Sequence, residues 1–216
     1  MTLGNIKSSG VSQSYATDYD KINMNIEAIA KLRAEVSLSY DKIENDTNLS
    51  EAGKEAEEVK IYSRSKKLYD RLRDEIETTR DAVRADLINK IKRHPKTYYG
   101  VQPSIEETAE MRSLIDKADK AYSQDDTREF NRLQKLAIDT GDKAMIRALG
   151  FVAYRAGNSA LLAPLSEHDS TVKALYEFEV EQGIFRSRED LIGERIQLTG
   201  IKKPPRASQE TLNQLF

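Results

Sequence analysis

The chain of 216 residues contains no cysteine and no tryptophan, and it has only five prolines and ten glycines. Without cysteine, disulfides and thiolate metal ligands are excluded, which fits a reducing compartment. No apolar run approaches the roughly 18 residues that a membrane span requires, and residues 1–14 lack the apolar core of a signal peptide. We therefore expect a protein that neither crosses a membrane nor leaves the cell through a signal peptide.

An excess of charge of either sign is also missing, because 34 Lys and Arg stand against 36 Asp and Glu. The net charge of −2 gives no overall attraction to nucleic acid or anionic lipid. Hydrophobic residues make up only 38% of the chain and charged residues 32%, a ratio that elongated helical shapes tolerate better than compact globules. Scarce glycine and proline favour long helices, so the predicted fold class is all-α.

A seven-residue spacing of apolar residues follows residues 1–14, which we predict to be a flexible arm. This seam comprises Tyr15, Ile22, Ile29, Val36 and Ile43, with Tyr19, Ile26, Leu32 and Tyr40 between them. The turn-forming segment NDTNLSEAGK interrupts the pattern, and Ser50 there is a suitable N-cap. A second helix is predicted from about Glu51 to His94. Its buried side is predicted to carry Leu68, Leu72, Ile76, Thr79, Val83, Leu87 and Ile91. Residues 15–94 are therefore predicted to form a long antiparallel helical hairpin.

Prolines 95 and 103 bracket a predicted linker over residues 95–103. Residues 104–199 are predicted to form a bundle of short helices, beginning with a capping box made by Ser104 and Glu107 and ending with a short helix from about Ser187 to Leu198. Residues 200–216 contain two adjacent prolines and are predicted to be an extended C-terminal tail.

A weak internal repeat relates residues 136–149 to residues 152–165 at an offset of sixteen. Gly141 corresponds to Gly157, and Asp142 corresponds to Asn158. In each copy the glycine is expected to end one helix and the following polar residue to cap the next. Two interpretations stay open: a coincidence expected in any bundle of short helices, or a small stack of helices suited to gripping an extended partner.

Residues that carry catalysis do not converge in the sequence. The two histidines, His94 and His168, lie in different halves, and we interpret His94 as a cation at a helix C-terminus. The many acidic residues alternate with Lys and Arg as on a solvated helix face, and no phosphate-binding glycine loop occurs. The sequence predicts no enzyme, no metal site and no cofactor.

Two groups of residues are candidates for binding other proteins. The seam residues can either pack within the chain or face a copy of the protein or a larger partner. Ten tyrosines, several near predicted helix ends, fit an interaction surface better than a buried core. In the tail, Lys202, Lys203 and Arg206 can contact phosphate, but the tail as a whole is typical of a docking peptide. The candidate protein-interaction residues are Tyr15, Tyr19, Ile22, Ile26, Ile29, Val36, Leu212, Leu215 and Phe216.

A basic cluster with adjacent aromatic residues is the candidate nucleic-acid contact. It comprises Lys90, Lys92, Arg93 and Lys96, followed by Tyr98 and Tyr99. Cations for phosphate and aromatic rings for stacking are the residues that such a surface needs. The simpler interpretation is a helix end with compensating charge, followed by a tyrosine-anchored linker.

Residues 37–72 join a helix to an Asn/Asp-rich turn, then Leu-Ser, Gly-Lys and a long charged helix. The residues that form this pattern are Ile43, Asn45, Asp46, Leu49, Ser50, Gly53 and Lys54. In this pattern the segment resembles uncharacterised helical proteins encoded among the head and tail genes of tailed bacteriophages. The resemblance implies a virion component or assembly factor, found in the virion or host cytoplasm, whose partners are other virion proteins and copies of itself. The alternative is a regulatory adaptor that binds nucleic acid or a host protein through the basic cluster.

Overall fold

The computed structural model describes residues 15–97, 101–122, 126–182 and 200–206. All regular elements within these ranges are helices, which confirms the all-α prediction. In chain order they are α1 (Ala16–Glu44), α2 (Glu51–Ile91), α3 (Ile105–Ala121), α4 (Arg128–Thr140), α5 (Lys143–Arg155), α6 (Ser159–Ser166) and α7 (Ser170–Gln182). The predicted N-terminal arm and the predicted helix from Ser187 to Leu198 lie outside the described residues.

Helices α1 and α2 form the antiparallel hairpin that the seam predicts. Asn25 of α1 donates to Glu75 of α2 over 3.3 Å. Near the turn, the Lys54 ammonium donates to the last carbonyl of α1, at Glu44, over 2.9 Å. The turn itself uses the expected polar residues, since the Ser50 hydroxyl accepts from the Gly53 amide at the start of α2.

Buried residues recur along α2 as a stripe with heptad-like steps of four and three, and four of them, Tyr62, Tyr69, Leu72 and Ile76, share one core with the seam of α1. The stripe comprises Glu58, Tyr62, Ser65, Tyr69, Leu72, Ile76 and Thr79, followed by Val83, Leu87 and Ile91 at steps of four. The sequence places Leu68 on this stripe, but its side chain is 37% exposed and Tyr69 occupies the buried position instead.

The chain divides into two compact units, and the division falls inside α2. The hairpin unit comprises Thr17–Arg80 and Ser187–Phe216, and the stack unit comprises Met1–Ala16 and Asp81–Arg186. The sequence places the division at the proline-bracketed residues 95–103 instead. The difference arises because the last turns of α2 pack with later helices: the Ile91 side chain lies against Gly150 of α5.

Helices α3 to α7 pack against one another within the stack unit. Helix α5 contacts α3, α4, α6 and α7, while α4 also contacts α3 and α6. Each helix therefore meets its chain neighbour and the next helix but one, which is the packing of a small helical stack. The core of the stack contains Met111, Phe130, Ile146, Leu149, Leu162, Leu165, Val172, Leu175 and Phe178.

The repeat reappears as two matching helix junctions. Gly141 and Gly157 both adopt the left-handed conformation, each with φ of 67°. The Asp142 side chain accepts from the Met145 amide, and the Asn158 side chain accepts from the Leu161 amide. Each glycine thus lets the chain leave one helix, and each polar residue caps the next, as the spacing predicts.

Candidate protein-interaction site

Three carboxylates gather around the turn of the hairpin. Glu44 is the last residue of α1, Glu51 is the first residue of α2, and Glu58 follows two turns later on the same face of α2. Glu44 and Glu51 are exposed, whereas the Glu58 side chain is fully buried. A buried carboxylate is costly unless a cation or hydrogen-bond donors accompany it, so this cluster requires a partner.

Arg206 supplies the partner for all three carboxylates. Its Nη1 donates to Glu58 over 2.6 Å and its Nε donates to Glu51 over 3.0 Å, while Nη2 donates to Glu44. The Arg206 backbone amide donates to Glu58 as well, over 3.2 Å. A planar guanidinium with its donors in a fixed fork suits this task, because lysine offers only a single point charge.

The residues before Arg206 lie along the hairpin without regular secondary structure. Ile201 and Pro204 are buried, whereas Lys202, Lys203 and Pro205 are exposed. Ile201 belongs to the hydrophobic core that α1 and α2 share. Buried residues three apart match the period of a polyproline II helix, the conformation that groove-binding peptides with prolines adopt.

A tyrosine also fixes the backbone of this segment. The Tyr40 hydroxyl donates to the Lys202 carbonyl over 3.2 Å. We refer to residues 200–206 as the tail segment. The tail groove is the surface that receives it, formed by Tyr40, Glu44, Glu51, Glu58 and the neighbouring core residues. The groove thus binds the segment through two buried apolar side chains, Ile201 and Pro204, through the Lys202 carbonyl and through the Arg206 guanidinium.

The electrostatics of the groove follow from these contacts. Hydrogen bonds to Glu44, Glu51 and Glu58 raise the pKa of Arg206 above its usual range. The hydrogen bond from Arg206 lowers the pKa of Glu51. Burial, together with the nearby Glu58 carboxylate and Tyr62, raises the pKa of Tyr40 above its ordinary value. The groove therefore favours a charged guanidinium beside a neutral phenol.

Sequence reasoning identified part of this site. It identified Lys202, Lys203 and Arg206 as cationic and the tail as a docking peptide, but it did not find their partner. Glu58 carries no signal by itself, since it is one of many acids along a charged helix. Its place in the four-and-three spacing of Tyr62, Ser65 and Tyr69 is the pattern that identifies it as inward-facing.

The predicted interaction residues of α1 are covered by the chain itself. Tyr15, Tyr19, Ile22, Ile29 and Val36 are all buried, and Ile26 is half-buried against the hairpin core. Of the two interpretations of the seam, the burial of these side chains matches the one in which the seam packs within the chain. The remaining candidates, Leu212, Leu215 and Phe216, lie outside the described residues.

Tyrosines are core residues in this hairpin, contrary to the expectation that they fit a surface better. The side chains of five of them are at most 7% exposed: Tyr15, Tyr19, Tyr40, Tyr62 and Tyr69. The hydroxyls of Tyr15 and Tyr40 reach polar groups at the edge of the core, Asp86 and the Lys202 carbonyl, so these two rings can be buried with little loss of hydrogen bonding.

Tyr15 joins two charged residues near the end of α2. Its hydroxyl donates to Asp86 and accepts from the Lys90 ammonium over 2.6 Å. Lys90 also lies 3.0 Å from Asp86. Burial and the hydrogen bond to Asp86 raise the pKa of Tyr15 to about 12. Although burial opposes it, the hydrogen bonds with Tyr15 and Asp86 raise the pKa of Lys90.

The basic cluster is dispersed among several partners. Lys90 is engaged by Tyr15 and Asp86, whereas Lys92 is exposed with its ammonium 4.5 Å from the centre of the Phe151 ring. The Arg93 carbonyl accepts from Arg147 over 3.2 Å. Lys96 is exposed, and Tyr98 and Tyr99 lie outside the described residues.

His94, which the sequence indicates as a cation at a helix C-terminus, lies just beyond the end of α2 and is buried beside an acidic side chain. It follows α2 by three residues and is only 5% exposed, with Nε2 3.3 Å from Glu110 of α3. Its Nδ1 accepts from the Lys96 amide over 3.3 Å. The imidazole therefore connects the end of α2 to α3.

Further ion pairs fasten the stack unit internally. The Arg84 guanidinium donates to the fully buried Glu179 over 2.7 Å and stacks 5.6 Å from the Phe178 ring centre. Arg147 of α5 donates to Asp169 over 3.1 Å. Burial and the nearby Glu179 raise the pKa of Tyr154 to about 12. Each of these guanidinium groups is paired with a carboxylate on, or at the start of, a neighbouring helix, so the ion pairs hold the helices together.

Within the ranges that the structure describes, no three His, Cys, Asp or Glu side chains are grouped closely enough to hold a metal ion. None of the described helices combines the length and apolar character that a bilayer span demands. Comparison of the chain with protein-family models, with curated proteins and with solved structures finds no match in any of the three. The site must therefore be interpreted from its own geometry.

Proposed function

We propose that this chain is a non-enzymatic structural or assembly protein that binds other proteins through its helices and its C-terminal tail. The observation that carries the proposal is the tail groove, where helical surface holds an extended segment through Ile201, Pro204 and Arg206. A surface that already binds a peptide in this way has the features of a protein-docking site.

The stack unit supports the same function. Short helices that contact their neighbours and the next helix but one, with matching junctions at Gly141 and Gly157, resemble the helical stacks that bind extended partners. Several apolar side chains remain exposed among the described residues, including Ile105 at 90% and Leu136 at 52%. Exposed apolar side chains are candidates for contact with a partner.

For the biological setting, we propose a component of a tailed-phage particle, such as a head accessory or head-to-tail adaptor present in repeated copies. The support is the resemblance of residues 37–72. The residues that carry it build the hairpin turn: Asn48 donates its amide to Asp46, Ser50 caps α2, and Lys54 caps α1.

The experiment is to purify the protein and particles from the same source. Mass spectrometry of the particles, negative-stain microscopy and light scattering of the protein should give a particle component that associates with capsid or portal proteins. A protein that is absent from particles, strictly monomeric and without affinity for capsid or portal proteins overturns the proposal.

A nucleic-acid adaptor is the second candidate, favoured by the exposed Lys92 and Lys96. Changing Lys90, Lys92, Arg93 and Lys96 to Gln separates the two functions. Loss of salt-sensitive binding to DNA or RNA favours the adaptor, since phosphate contacts release counterions. Unchanged association with particle proteins favours the structural role.

A further inference from the structure

The tail segment meets the groove as a peptide meets a receptor. It has no regular secondary structure of its own, and it is held by side-chain anchors from Ile201 to Arg206. Arg206 and Glu58 are 148 residues apart in the chain. Because no short covalent link joins them, docking of the segment in the same molecule depends on its affinity for the groove and on its effective concentration near the groove.

The groove is energetically unfavourable when no segment occupies it. Without Arg206 the fully buried Glu58 carboxylate loses its guanidinium partner, and without Ile201 the core of the hairpin loses a covering side chain. Leaving a buried charge uncompensated costs far more than exposing a polar group. A groove that has lost its own tail therefore favours any extended segment with an apolar anchor and an arginine five residues later.

The tail segment of a second copy matches that requirement in every contact. Its anchors, its carbonyl at Lys202 and its guanidinium are those that the groove already binds. We propose that the tail groove is a receptor for residues 200–206 of a second copy, and that two copies exchange tails reciprocally. This inference rests on the part of the proposed function that concerns association between copies.

Exchange preserves all groove contacts, and its reach is set by the residues between Gln182 of α7 and Gly200 of the segment. Those residues can span up to about 60 Å when extended. A reciprocal exchange is closed, since both grooves and both tails are filled, and it gives a dimer with two-fold symmetry. The dimer becomes dominant when the local protein concentration exceeds the effective concentration of the tail in its own molecule.

Complementation between two full-length variants tests the exchange. One variant carries Arg206→Ala and keeps an intact groove with a defective tail. The other carries Glu44→Gln, Glu51→Gln and Glu58→Gln, and keeps an intact tail with a defective groove. Each variant alone should have the mass of one chain at all concentrations, whereas the mixture should form a complex of two chains, measured by sedimentation or light scattering.

A matched control removes three charges elsewhere. The variant Glu27→Gln, Glu35→Gln, Glu57→Gln changes the total charge by the same amount but keeps both the groove and the tail intact. Its own tail therefore stays docked in its own groove. It should associate with the Arg206→Ala chain no more than wild type does. Far-ultraviolet circular dichroism of every variant checks that the helices are retained. A groove variant that fails to fold is replaced by the single change Glu58→Gln.

A labelled peptide with the sequence of residues 200–207 provides the second measurement. It should bind the Arg206→Ala chain at least about tenfold more tightly than wild type, because the wild-type tail competes for the groove. It should not bind the groove variant, and a peptide with Arg206→Gln should bind neither.

The outcomes are distinct. Association in the mixture together with peptide binding supports tail exchange. Peptide binding without association overturns exchange, and it assigns the groove to a proline-containing segment of another protein. Absence of both overturns the receptor itself. None of these results alters whether the protein is found in phage particles, so the proposed function is tested separately.

Discussion

At the residue scale, Tyr15 shows how one side chain combines burial with charge. Its phenol is only 5% exposed, and it lies between Asp86 and Lys90, donating to the first and accepting from the second. Burial and Asp86 raise the pKa of Tyr15 from 10.0 to about 12, so the folded state favours the neutral phenol. The stability that follows is present below pH 10 and is lost as the pH rises from 10 towards 12.

We predict that Tyr15→Phe removes this alkaline loss. At neutral pH the variant should be less stable by about 1 kcal/mol, because the two hydrogen bonds of the hydroxyl are lost while the ion pair between Lys90 and Asp86 remains. Between pH 10 and 12 wild type should lose roughly 2 kcal/mol that the variant retains, so the difference should shrink or reverse. Urea unfolding across this range measures it, and a constant difference contradicts the assignment.

At the element scale, the two junctions at Gly141 and Gly157 are equivalent in conformation and surroundings. Both glycines have φ of 67°, and a Cβ added at either would meet nothing within 4 Å. The cost of a side chain there is therefore a backbone cost alone. An L-residue in the left-handed region loses about 1–2 kcal/mol relative to glycine.

We predict that Gly141→Ala and Gly157→Ala each lower the free energy of unfolding of the stack unit by about 1 kcal/mol. The double variant should lose the sum, since a Cβ at either junction meets no heavy atom within 4 Å and the two changes have no shared neighbour through which to interact. Chemical denaturation monitored by circular dichroism gives the three values. Unequal costs, or an unstrained alanine at one junction, would mean that the two copies of the repeat are not structurally equivalent.

Gly150 differs from both, because it lies inside α5 with ordinary helical geometry. A Cβ there would stand 3.1 Å from both methyl carbons of Val172 and 3.4 Å from Cδ1 of Ile91. Alanine is normally the better helix former by about 1 kcal/mol, but at this position it would crowd the contact between α5 and α7.

We predict that Gly150→Ala destabilises the stack unit by about 1–3 kcal/mol despite its helix propensity. In a Val172→Ala background the same change should cost less or become favourable, because the crowding methyl groups are gone. A double-mutant cycle should thus give a coupling energy of about 1 kcal/mol or more. Additive effects of the two changes would contradict the close approach.

Helix positions follow closely from the sequence, since caps and breakers act locally. Ser104 and Glu107 form the predicted capping box, with hydrogen bonds of 3.1 and 2.9 Å. The tail groove could not be predicted from the sequence, because Arg206 and Glu58 are 148 residues apart and come together only in the tertiary structure. Periodicity also cannot show that the buried position belongs to Tyr69 and not to Leu68.

At the scale of the whole molecule, the division inside α2 separates the effects of mutations. The tail groove belongs to the hairpin unit, whereas the ion pairs of Arg84 and Arg147 belong to the stack unit. Stability in proteins is not uniform, and cooperative units can open at different free energies. A change in one unit should therefore be detected chiefly in that unit.

We predict that Arg206→Ala increases amide hydrogen exchange in the hairpin unit, above all near Tyr40 and Glu58, and leaves residues 105–182 unchanged within twofold. The variant removes the guanidinium from a buried carboxylate, so the helices on both sides of the groove lose support. Arg206→Lys should restore only part of the protection, since an ammonium cannot form the same fork of bonds. Uniform acceleration throughout the chain contradicts the two-unit description.

The distance of Arg206 from Glu58 along the chain also sets an order of events during synthesis. The ribosome adds about 5–20 residues per second, so the hairpin emerges roughly 7–30 s before the arginine that neutralises its buried carboxylate. Throughout that interval the nascent hairpin lacks its last stabilising contact, and a chain interrupted before residue 206 never acquires it. Chains that end before Arg206 should consequently be cleaved by proteases more readily than the full chain.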